Sequence, residues 1–80
     1  MIGEYNKSMG TLIDLSGQQD FILNHHPDAI NIPYQKFMLY YDKYLKKKEP
    51  YYFICSKGLH SGKVVRMLEY FGYDVTQVVH

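Results

Sequence analysis

The chain has 80 residues, enough for one domain with a modest core, since a chain this short buries only about 60 % of its unfolded surface. An apolar share of 46 % against 21 % charged, with nine Tyr, four Phe and no Trp, is globular composition and excludes a disordered chain. Nine basic against eight acidic residues leave a formal charge of +1, which gives no field that would argue for nucleic acid or an anionic membrane as partner.

Residues 1–10 are mixed and polar and read as a lead-in or a short edge segment, with the domain expected over 11–80. They lack the basic start and apolar middle of a signal peptide. No apolar run in the chain approaches the ~18 to 20 residues of a membrane span. Thr11 to Leu15 is a β-branched and aliphatic run that predicts a buried strand, stopped at Ser16-Gly17, with Asp14 near its carboxyl end. Gln18 to Asn24 predicts two turns of helix, with Ser16 as its N-cap.

His25-His26-Pro27-Asp28 breaks that helix, because the residue before a proline is pushed out of the α region. Ala29 to Ile32 alternates as a brief strand ended by Pro33. From Tyr34 to Leu45 the residues Phe37, Tyr41, Tyr44 and Leu45 recur at helical spacing, which predicts an amphipathic helix. Lys46-Lys47-Lys48 follows as a solvated helix end, and Pro50 closes the segment.

Tyr51 to Cys55 predicts a buried strand, followed by a polar loop and a helix beginning near Ser61. Val64, Val65, Leu68 and Phe71 form the apolar face of that helix, and Gly72 is its expected left-handed stop. Val75 to Val79 predicts the last strand. Strands alternating with helices through short loops argue an α/β fold: a small parallel sheet flanked by helices on both faces. In such a sheet ligands bind beyond the carboxyl ends of the strands, which is where Cys55, Asp14 and the His25 loop would meet.

Cys55 is the only cysteine, so no intrachain disulfide and no intramolecular resolving thiol can form. That suits a reducing compartment, and a cytoplasmic location is expected. The run Ser56 to His60 can turn its backbone N–H groups toward the sulfur, and a helix starting behind it adds unpaired N–H groups and the positive end of its dipole. Lys57 adds a permanent positive charge and His60 a titratable one. These groups favour a thiolate, so Cys55 is the candidate nucleophile. His25 and His26 are adjacent, their side chains diverge, and no four-ligand metal site is expected. No cofactor is implied.

Three segments taken in order resemble the signatures of the rhodanese-like family. Leu12-Ile13-Asp14 is similar to an aliphatic strand ending in Asp. The run His25 to Pro33 resembles a turn-and-strand signature in which His, Pro, Ala, Asn and the final Pro are typical, with Asp28 standing where Gly is usual. Cys55-Ser56-Lys57-Gly58-Leu59-His60-Ser61 resembles the active loop, in which Cys opens a tight six-residue turn with Gly at the fourth place. Phe71-Gly72-Tyr73 before the last strand fits as well. Ser16 stands where the family commonly has Arg, and His60 where many members have Arg late in the loop.

The resemblance implies sulfur transfer: Cys55 takes sulfane sulfur from a donor such as thiosulfate, holds it as a persulfide, and passes it to a thiol or a cyanide-like acceptor. Ser56, Lys57, Gly58, Leu59, His60 and Ser61 would form the substrate-binding loop. Asp14 would orient the rim or cap a loop, and His25 would be a structural turn residue. The rival reading is a rhodanese-like module with little turnover that docks a partner or relays sulfur between proteins, which the two missing arginines favour. A phosphatase or arsenate reductase of related fold would carry Arg at the place of Ser61, and without it there is no bidentate phosphate clamp.

Overall fold

The computed structural model describes residues 2–3, 5, 9–55 and 59–78. In chain order the elements are β1 (Ile2–Gly3), β2 (Thr11–Asp14), α1 (Gln18–Leu23), β3 (Ile30–Asn31), α2 (Tyr34–Tyr44), β4 (Pro50–Ile54), α3 (Leu59–Tyr70) and β5 (Asp74–Val78). The five strands form one sheet in the order β1-β5-β4-β2-β3, and every pairing is parallel. The first residues thus contribute an edge strand, with Ile2 opposite Gln77.

Strand alternation sorts the side chains onto two faces. Ile13, Tyr51, Phe53, Cys55 and Val75 pack with Phe37 of α2 and with Val64, Val65 and Leu68 of α3. Leu12, Tyr52, Ile54 and Val78 point the other way, against Tyr5 and Ala29. The register keeps like with like: Ile13 lies opposite Phe53, and Tyr51 opposite Val75. The step from β2 to β3 runs outward along the sheet, whereas β3 to β4 and β4 to β5 run back. Right-handed crossovers therefore put α1 on the face opposite α2 and α3. The expected arrangement of helices on both faces holds, with unequal coverage. α1 buries no residue, and its Ile22 and Leu23 are exposed.

Three expectations need correction. Pro50 does not close the preceding segment; it opens β4, at a strand's first residue, where a missing N–H is tolerated. Tyr44 is not among them: it is half-exposed, but its ring stacks on Phe37 with centroids 6.4 Å apart, so it keeps to the apolar side of α2 although Tyr40 has non-helical backbone angles (φ −130°, ψ 16°). Phe71 falls just beyond α3 and is half-exposed, its ring parallel to that of Tyr41 at 6.4 Å. The helix after Cys55 begins at Leu59, two residues before the expected start.

Gly72 stops α3 as expected. Its φ is +91°, its N–H donates to the Glu69 carbonyl at 3.1 Å, and the Tyr73 N–H donates to the Leu68 carbonyl at 2.9 Å. This pair of bonds is the glycine-terminated stop that returns the chain to the sheet. Among the described residues no helix is long and apolar enough to cross a membrane.

Candidate active site around Cys55

Cys55 is the first residue beyond β4, at the carboxyl rim of the sheet, and only 5 % of its surface is exposed. Its Sγ faces the first turn of α3. The Ser61 backbone N–H donates to Sγ over 3.4 Å, and this N–H is one of those a helix start leaves without an intrahelical partner. The Ser61 hydroxyl lies 3.6 Å from the same sulfur, and Gln77 Nε2 donates to Ser61 Oγ at 3.1 Å. The sulfur thus sits where donors and the positive end of a 12-residue helix converge, the electrostatic setting that favours a thiolate. Ser56, Lys57 and Gly58 lie outside the described residues, and with them the expected N–H cradle and the tight turn at Gly58.

A cleft of about 600 Å³ opens beside Cys55. Its walls come from three places: Leu15 and Ser16 after β2, Tyr34 and Gln35 at the start of α2, and Leu59 and His60 at the start of α3. The His60 ring stacks on Tyr34 with centroids 3.9 Å apart and planes 9° from parallel. His60 is exposed, and so is Leu59 at the mouth of the cleft. Asp20 of α1 also lines it.

Asp14 shapes the rim without lining the cleft. Its Oδ1 accepts from the Ser16 N–H at 2.8 Å, and its carbonyl accepts from Ile32 N at 3.0 Å and from Asn31 Nδ2 at 3.1 Å. Asn31 Nδ2 also donates to the Ser16 carbonyl at 2.9 Å. These bonds hold Ser16 in the turn that leaves the sheet, so Ser16 is not the N-cap of α1. Gly17 is, in an extended conformation (φ −60°, ψ 155°) and with no side-chain cap. His25 is not among the residues that line the cleft. Its ring stacks on Phe21 with centroids 3.8 Å apart, and its Nδ1 meets the Phe21 carbonyl at the end of α1, the contacts of a turn residue.

Asn31 and Gln77 are the site-shaping residues that sequence reasoning missed. Asn31 was legible only as part of the His25 to Pro33 signature. Gln77 had one signal, an amide two residues after Val75 and so on the same inward face of the strand. Asn31→Ala removes two donors from carbonyls of the cleft rim, and should lower unfolding free energy by about 1–2 kcal/mol. Urea denaturation measures it; an unchanged midpoint would show that the Asp14 turn holds Ser16 alone.

A family model described as the rhodanese-like domain matches residues 1–80. No curated protein matches the sequence. Among solved structures the chain is similar to a rhodanese-related protein from Thermoplasma volcanium (TM-score 0.78, 25 % identity, 89 % of this chain and 70 % of that one). It is also similar to a rhodanese-like domain protein from Staphylococcus aureus (TM-score 0.74, 29 % identity, 86 % and 67 %). An NAD-dependent persulfide reductase from A. fulgidus shares the fold at 19 % identity and TM-score 0.68, over 94 % of this chain and 13 % of that one. With the family model spanning the whole sequence, and with the strand order and the carboxyl-end cysteine described above, the chain belongs to the rhodanese-like domain family.

Proposed function

We propose that the chain is a sulfurtransferase that carries sulfane sulfur on Cys55. The observation that supports this most strongly is the Ser61 N–H directed at a sulfur that borders an open cleft. An anionic sulfur there has donors, a helix dipole and access for small reactants.

With thiosulfate as donor, the Cys55 thiolate attacks the outer sulfur, the new S–S bond forms, and sulfite leaves with the electron pair of the old one. The persulfide carries the negative charge on its outer sulfur or a proton taken from water. A nucleophilic acceptor such as a thiolate or cyanide then attacks that outer sulfur, and Cys55 departs as the thiolate. The groups that stabilise the resting thiolate also make it a good leaving group, so one arrangement serves both half-reactions. The cleft walls of Tyr34, Leu59 and His60 would receive the organic part of a thiol acceptor or the cysteine of a relay protein. A reducing, cytoplasmic setting suits a chain with a single cysteine of this kind.

Thiocyanate formation from thiosulfate and cyanide tests the reading. Turnover that saturates in both substrates is expected. Absence of turnover with thiosulfate, and with an organic persulfide in its place, would contradict it.

A further inference from the structure

Gln77 takes no part in the sulfur-transfer chemistry written above, yet it is joined to the sulfur through one intermediary. It lies opposite Phe53 in the β4–β5 ladder and so points to the α3 side of the sheet. Room for its amide comes from Gly62, where a Cβ would sit 3.4 Å from Gln77 Oε1. The neighbouring Ser61 is 1 % exposed, so its hydroxyl is settled by protein groups and not by bulk water. A hydroxyl has one proton and two lone pairs. Gln77 Nε2, donating to Ser61 Oγ at 3.1 Å, occupies one lone pair and keeps the hydroxyl proton off that side. Cys55 Sγ lies 3.6 Å from Oγ and, as the thiol, donates its proton to it; as the thiolate it can only accept.

We propose that Gln77 is a positioning residue of the sulfur site: it orients the Ser61 hydroxyl so that its proton is donated to Cys55 Sγ whenever that sulfur is an anion. The thiolate then receives two donors from one residue, the Ser61 N–H and the Ser61 O–H. In the thiol form the direction reverses, and the S–H donates to Oγ. Gln77 thus favours the charged form without touching it. The catalytic use of this arrangement rests on the sulfur-transfer reading, whereas the orientation itself does not.

The test is the pH profile of Cys55 alkylation by iodoacetamide, whose midpoint reports thiol ionisation. Gln77→Met keeps the side-chain volume, removes the donor, and should raise the midpoint by ~0.5–1 pH unit. Gln77→Glu should raise it further, because a carboxylate takes the hydroxyl proton for itself and adds a like charge. Ser61→Ala should also raise it, and adding Gln77→Met to Ser61→Ala should give no further shift. A purely structural role would lower stability and leave the midpoint in place. The proposal is overturned if Gln77→Met leaves the midpoint unmoved, or if its shift persists in full in the Ser61→Ala background. Should Gln77→Met fail to fold, unshifted midpoints in Ser61→Ala and Gln77→Glu overturn it equally. Midpoints that move as expected in a protein that never loads sulfur would sink the sulfur-transfer reading and leave Gln77's role standing.

Discussion

Cys55→Ser is expected to abolish sulfur loading while leaving the fold in place. The serine hydroxyl is smaller than the thiol but can accept from the Ser61 N–H that now faces Sγ, so no buried donor is orphaned. It cannot form a persulfide, because an alkoxide is inaccessible near neutral pH and an O–S linkage would not survive in water. Since Cys55 is the only cysteine, no second thiol can take over the loading. Thiocyanate turnover should fall to the rate of the uncatalysed mixture, and the unfolding free energy from urea denaturation should stay within about 1 kcal/mol of the parent. A Cys55→Ser protein that still acquires labile sulfur would remove Cys55 from the chemistry.

The largest effect on stability is expected for Phe53→Ala. Phe53 is fully buried at the centre of the sheet, opposite Ile13 on one side and Gln77 on the other, with its ring edge-on to Phe37 at 5.3 Å. It joins β4, the strand that delivers Cys55, to α2, the helix that delivers Tyr34 to the cleft. Truncating a buried Phe costs about 3–5 kcal/mol through lost transfer energy and the cavity left behind. Domains are stable by only about 5–15 kcal/mol, and an 80-residue chain with a modest core sits toward the lower end. Much of the variant should therefore be unfolded at 37 °C, as thermal denaturation followed by circular dichroism would reveal. A loss below about 1 kcal/mol would mean that Phe37 and Phe53 do not form the centre of the core.

The strands were the most legible part of the fold because their signal is carried by runs such as Leu12-Ile13 and Tyr51 to Ile54, which are apolar on both faces, as a central parallel strand requires. Element ends were less legible, and for local reasons. Ser16 has the chemistry of an N-cap, but its own N–H and carbonyl are taken by Asp14 and Asn31, so the chain passes through Gly17 before α1 starts. The non-helical backbone at Tyr40 inside α2 is announced by no residue of the sequence.

At the site, Cys55 and Ser61 could be paired from sequence because both lie on one strand–loop–helix unit. Gln77 could not, since it reaches Ser61 from a strand 16 residues away through space opened by Gly62. The Tyr34–His60 stack was hidden for the same reason: it joins the starts of two helices that are distant in the chain. It also bears on His60, which the sequence offered mainly as a source of charge and which here lies flat against an aromatic wall of the cleft.

The central claim is that Cys55 stores sulfane sulfur, and the intact mass of the protein after incubation with thiosulfate tests it most directly. A gain of one sulfur atom is expected, located on the peptide containing Cys55 and removed by cyanide. An unchanged mass after thiosulfate and after an organic persulfide, or an added sulfur that cyanide does not remove, would contradict the account.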